Sequence, residues 1–138
     1  MERGLSNEKN VLVIGGGPVG FSAAKALAAS GALVSIFDIN SSLSCKISES
    51  MKQSSEKEIE IVKDLDAALN STHLIVDATP ATKIINEHHI GSRTYVSAPG
   101  VPLGVDIEAQ LKLSNRLLHD PLQIGVATMV VCACKLCI

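Results

Sequence analysis

Aromatic side chains are nearly absent from this 138-residue chain, which has one Tyr, two Phe and no Trp. Phe21, Phe37 and Tyr95 leave little from which to build a base-stacking platform or a sugar-binding cleft. A dominant charge is missing too. Twelve Lys and Arg against 14 Asp and Glu give a net charge of −2, which is no footprint for nucleic acid. Apolar runs stop well short of the roughly 20 residues of a spanning helix; the longest goes from about Ile124 to Cys134. The opening stretch, MERGLSNEKN, is polar and lacks the hydrophobic centre of a signal peptide. Cysteine is sparse and unevenly placed: Cys45 stands alone, while Cys132, Cys134 and Cys137 crowd the C-terminal stretch rather than forming a disulfide framework. That cluster contains a C-x-x-C. With no histidine near it, small apolar packing in a buried terminal helix is expected, and no metal. These exclusions point to a soluble, cytoplasmic chain of one domain with neither membrane nor nucleic-acid partners.

What the chain does have is alternation. A continuous apolar run at Val11–Ile14 suits a parallel strand buried on both faces. The texture returns at Leu33–Phe37, more weakly at Ile59–Val62, then at His73–Val76, Thr94–Val96 and Arg116–His119. Helical segments are expected between the runs, at Val19–Ala29, Ser42–Gln53, Leu65–Leu69, Thr82–Glu87 and Asp106–Leu113, with a terminal helix from about Leu122 to Leu136. Alternating strands and helices predict a doubly wound, Rossmann-like α/β fold: a mainly parallel sheet of about six strands with helices on both faces. Residues 1–9 read as a flexible N-terminus and 10–138 as the dinucleotide-binding domain.

The glycines carry the chemistry. Gly15-Gly16-Gly17-Pro18-Val19-Gly20 satisfies G-x-G-x-x-G directly between a predicted strand and a predicted helix. Gly15 permits a tight turn, Gly17 lets the backbone approach a pyrophosphate, and Gly20 brings helix against strand. Pro18 suits the first helical turn, where its missing N–H is not needed. With Val19 it leads into a helix N-terminus that favours an anion. Asp38, followed by Ile39, closes the second strand where a ribose-binding acid is expected. Its carboxylate accepts from 2′- and 3′-hydroxyls and repels a 2′-phosphate, so NAD is favoured over NADP. The bland alternatives are a simple chain reversal for the glycines and a helix cap for Asp38.

Two loops at the carboxyl edge, VDATP (76–80) and SAPGVPLG (97–104), face the second half of such a cofactor. Ala78, Thr79, Pro80, Ala98 and Pro99 are therefore candidate nicotinamide neighbours, unless Pro and Gly there only punctuate loops. His119 and Asp120 end the sixth strand and are the candidate proton-transfer pair. Adjacent residues in an extended chain point apart, so the competing reading has Asp120 capping the last helix and His119 partly buried. His88 and His89 are expected at a helix end, in solvent.

The stretches IGGGPVGFSAAKALAASGALVSIFDIN, LIVDATP, TYVSAPGVPLG and NRLLHDPLQIGVATMVV resemble the C-terminal cofactor domain of the pyrrolysine-biosynthesis dehydrogenases, over nearly all of Asn10 to Lys135. The resemblance implies NAD-dependent oxidation of the terminal amine of 3-methylornithyl-N6-lysine, with loss of ammonia and ring closure to pyrrolysine. On this sequence it places Gly15, Gly17 and Gly20 at the pyrophosphate, Asp38 at the adenosine ribose, and Ala78–Pro80 with Ala98–Pro99 at the nicotinamide. Family members also carry an N-terminal domain that helps enclose the small amino-acid substrate, and it is absent from this sequence. A missing domain or second subunit is thus an expected partner. A non-catalytic NAD-binding module, half of a split enzyme, and a dehydrogenase of another amino or hydroxy acid are the alternatives.

Overall fold

In the computed structural model, residues 10–53, 59–100 and 102–119 are described. The predicted terminal helix, Asp120, the C-terminal cysteines and the N-terminal nine residues lie outside them. The element order is β1 (Asn10–Ile14), α1 (Pro18–Ala29), β2 (Leu33–Phe37), α2 (Ser41–Gln53), β3 (Glu60–Ile61), α3 (Leu65–Ser71), β4 (Leu74–Asp77), β5 (Tyr95–Ser97), α4 (Ile107–Leu113) and β6 (Leu117–Leu118). All strand pairs are parallel, in the order β3-β2-β1-β4-β5-β6. This is the doubly wound sheet that the alternating pattern predicts, with its reversal of strand order between β1 and β4.

Strand alternation divides the core in two. Leu12 and Ile14 of β1 join Ile75, Val96, Leu69 of α3 and Ala109 and Leu113 of α4 on one face. Val13 points the other way, meeting Val34 and Ile36 of β2, Ala24 and Ala28 of α1 and Ile47 of α2. The central strand is apolar on both sides because both faces are covered. Each fully buried Leu, Ile or Val adds roughly 1.5–3 kcal/mol of transfer free energy.

Helix α1 buries Gly20, Ala24 and Ala28, one small residue per turn, so its axis sits close to the sheet. Asp64 and Asp106 accept from the Ala67 and Ala109 amides and start α3 and α4. Among the described residues, no helix is long and apolar enough to cross a membrane.

Of residues 82–87, expected as helix, 82–86 are not helical. Lys83 takes a positive φ of 55°, the Ile84 and Ile85 amides both donate to Gly104 O, and Ile85 forms a parallel bridge with Val105. Pairing with a distant segment satisfies these amides and buries Ile85 completely, and tertiary burial overrides local propensity. A short 3₁₀ turn at Glu87–His89 follows.

A β carbon at Gly20 would overlap the Gly15 carbonyl oxygen, a backbone atom that cannot swing away. Gly20→Ala is therefore expected to lower unfolding free energy by about 2 kcal/mol or more, read as a shift of the urea midpoint.

Candidate functional site

The site is built where β1 ends. Gly15 has φ +103°, its amide donates to Phe37 O at 2.8 Å, and Ala78 N–H donates to Ile14 O at 2.8 Å. The turn is thereby tied to the ends of β2 and β4. A β carbon on Gly15 would press against the Ala78 carbonyl, so backbone packing demands glycine here as well as at Gly20. Gly17 differs: a β carbon there meets nothing within 4 Å. It is the N-cap of α1, no side chain caps it, and Pro18 occupies the first turn. The helix thus opens with its first amides uncapped by side chains beside open space, an arrangement suited to an anion. Pro18 and Val19 are exposed at this end.

Asp38 reaches the same turn. One carboxylate oxygen accepts from Gly16 N–H and the other from Asn40 N–H at 2.7 Å. It does not cap α2: Asn40 stands there, its Oδ1 accepting from Ser42 N–H and the Ser42 hydroxyl. Asp38 is half-buried, so lone pairs remain for an outside donor. Ile39 beside it is 96% exposed.

On the other side of the turn, Thr79 N–H donates to Asp77 Oδ1 at 3.2 Å, and Thr79 Oγ1 accepts from Ala81 N–H. Ala98 is buried, its amide donating to Leu118 O. Pro80 is exposed and Pro99 half-buried at the rim. His119 Nδ1 lies 2.6 Å from Ala98 O. Because a carbonyl only accepts, Nδ1 carries the proton and a neutral ring keeps its lone pair on Nε2.

Asp77 is the residue that sequence reasoning missed. It is fully buried, and Oδ2 has no hydrogen-bond partner among the described residues. Burial pushes its carboxyl up to about 6, against the lowering effects of the Thr79 and Gly104 amides and of His119. The available signal was an acid ending an otherwise apolar central strand, "LIVD".

His89 corrects an expectation, for it is 5% exposed rather than solvated; His88 is exposed. Asp66 Oδ1 lies 2.6 Å from His89 Nε2 and 3.4 Å from His88 Nε2, and these hydrogen bonds lower the Asp66 pKa. The three could hold a metal by proximity, but the tautomer argues otherwise. His89 Nδ1 accepts from Asn86 N–H at 3.0 Å, so Nε2 carries the ring proton and donates to Asp66. Ligation through Nε2 would displace that proton while Nδ1 still faces a donor. The trio acts as a latch between α3 and the 3₁₀ turn.

Against this geometry, the family profile "Alanine dehydrogenase/PNT, C-terminal domain" matches residues 4–97. A pyrrolysine synthase from Methanosarcina barkeri is 28% identical over 125 residues, covering 91% of this chain and 44% of that protein. The chain therefore spans less than half the length of that relative. Among solved structures, quinate dehydrogenase from Corynebacterium glutamicum in complex with NAD superposes with TM-score 0.71 at 19% identity, covering 91% of this chain and 49% of that one. Shikimate dehydrogenase from Aquifex aeolicus gives 0.63 at 23%, covering 80% and 42%. Both share the fold.

Asp77 generates a pH signature. Its folded pKa is raised, so the proton is held more tightly in the native state, and stability falls as pH rises from about 4 through about 6. The loss is on the order of 3 kcal/mol. Urea unfolding of the Asp77→Asn variant should lack this component and exceed the wild type in stability at pH 8; parallel pH profiles for the two would refute the assignment.

Proposed function

The chain belongs to the alanine dehydrogenase/PNT C-terminal domain family, and on that premise we propose that it forms the NAD-binding half of an amine dehydrogenase. One observation carries the cofactor reading: a glycine turn opens α1 with no side-chain cap, beside open space at Gly17 and next to the Asp38 carboxylate. Amides of the first turn of α1 hold the pyrophosphate, with Gly17 admitting it. Asp38 accepts from the adenosine ribose hydroxyls, and the exposed Ile39 offers apolar surface to the base. Ala78, Thr79, Pro80, Ala98 and Pro99 border the nicotinamide, which is the hydride acceptor when NAD is bound.

The substrate we assign is 3-methylornithyl-N6-lysine, oxidised at its terminal amine with loss of ammonia and ring closure to pyrrolysine. The similarity to pyrrolysine synthase supports this. An ammonium group must lose a proton before the neighbouring carbon can release hydride. His119 Nε2, which holds the lone pair of the neutral ring because Nδ1–H faces Ala98 O, is the group we assign to receive it. Asp120, the second member of the expected pair, lies outside the described residues.

The share of the relative covered, 44%, favours a division of labour. Residues 10–138 supply the cofactor domain, and a substrate-enclosing half comes from other residues of a longer chain or from a second subunit. Enclosure excludes water and orients the amine against the cofactor.

Calorimetry should detect NAD binding with weaker binding of NADP, and absence of NAD binding overturns the reading. Asp38→Ala should weaken NAD by about 1–2 kcal/mol and narrow the preference over NADP. Gly17→Ala should unfold within about 0.5 kcal/mol of the wild type yet bind NAD about tenfold more weakly, because the added methyl enters the space assigned to the pyrophosphate. With substrate and the N-terminal half of a pyrrolysine synthase added, NADH absorbance is expected to rise; a flat trace rejects the amine reaction.

A further inference from the structure

Asp77 ends β4 in register with Ile14, the residue before the glycine turn. It is wholly buried, and its Oδ2 has no hydrogen-bond partner among the described residues. The surroundings are shaped to admit this group. A β carbon at Gly104 would overlap Oδ2, and one at Gly100 would overlap the Thr79 carbonyl next to it. Gly100 N–H is meanwhile tied to Asp77 O at 3.2 Å. Gly104 is thus committed to packing over a carboxylate whose burial is unfavourable, and Gly100 to packing over the backbone carbonyls of Thr79 and Asp77 beside it. An Asn or Leu of similar volume would fill the space at lower cost.

A buried carboxylate that no cation among the described residues pairs with is explained if its counter-charge arrives with a ligand. Ligands of doubly wound sheets lie outside the strand C-termini at the reversal of strand order, here between β1 and β4. With the pyrophosphate at the glycine turn and the adenosine ribose at Asp38 beyond β2, the nicotinamide half falls on the β4 side, next to Asp77. The oxidised ring carries a positive charge and the reduced ring none.

Resting on the NAD reading above, we propose that Asp77 determines the redox specificity of the site, its carboxylate serving as the buried counter-charge that favours NAD+ over NADH. Contact is not required, because charges separated by protein rather than water interact strongly. The preference suits a dehydrogenase working in the oxidative direction: NAD+ is retained and NADH released. The other groups that bear on the Asp77 charge are the Thr79 and Gly104 amides and, from the end of β6, the titratable His119.

The test compares affinities: calorimetry for NAD+ and nicotinamide fluorescence for NADH, on the wild type and Asp77→Asn. NAD+ binding should weaken about tenfold in the variant while NADH changes less than about twofold. Equal changes in both, or none, overturn the proposal. Should Asp77→Asn fail to fold, the His119→Gln protein is measured at about pH 8 and about pH 5.5, where protonation of Asp77 should lower the NAD+ to NADH affinity ratio; a constant ratio is the contrary result. A wild type that binds neither nucleotide removes the cofactor reading itself, whereas binding of both with an unaltered ratio removes only the assignment of Asp77.

Discussion

The structure depends on a close approach between three pieces of backbone. Gly15 turns the chain out of β1, its carbonyl lies against Gly20 in α1, and its Cα faces the Ala78 carbonyl after β4. No side chain fits in either gap. The contact draws α1 onto the sheet along Gly20, Ala24 and Ala28 and brings the ends of β1, β2 and β4 to one point. A helix N-terminus and the Asp38 carboxylate meet there as a result, and Asp77 lies buried at the end of β4. Packing and the candidate chemistry have the same cause: where backbone meets backbone, polar main-chain groups are left near the surface to meet a ligand.

The two acids differ in what surrounds them. Asp38 is half-buried and bonded to two amides, those of Gly16 and Asn40, so it is solvated as an anion by the main chain itself. Asp77 is shut off from solvent with Gly104 packed against its carboxylate, and its burial outweighs the help of the Thr79 and Gly104 amides. The first environment holds a carboxylate ready for hydroxyl donors. The second makes the charge expensive until something positive approaches. Two identical side chains at one edge of the sheet thereby differ in what they can offer.

Much of the fold was legible because its signals are local. Apolar runs of strand length and the glycines at the first turn each act within a few residues, and the elements they mark fall within one or two positions of expectation. Where a distant segment intervened, legibility stopped. Thr82–Glu87 has a helical texture, yet the pairing of Ile85 with Val105 took its backbone. His89 reads as a surface residue, but Asp66 of α3 and the Asn86 amide engage both its ring nitrogens and bury it. The glycine turn and Asp38 were visible in the candidate site because their spacing is itself the motif. Asp77 was hidden, since nothing in "VDATP" tells which face of β4 the acid takes or that Gly104 closes over it.

Order along the chain determined the strand and helix alternation, the bend at Gly15–Gly20 and an acid at the end of β2, since each follows from conformational preferences of adjacent residues. Tertiary structure alone decided that Asp38 grips the Gly16 amide, that the neutral His119 ring keeps its lone pair on Nε2 by donating from Nδ1–H to Ala98 O, and that Asp77 is shut off from solvent. The physical reason is range. Backbone preference acts over a handful of residues, whereas hydration, hydrogen-bond partners and charge depend on whatever the folded sheet brings within a few ångströms.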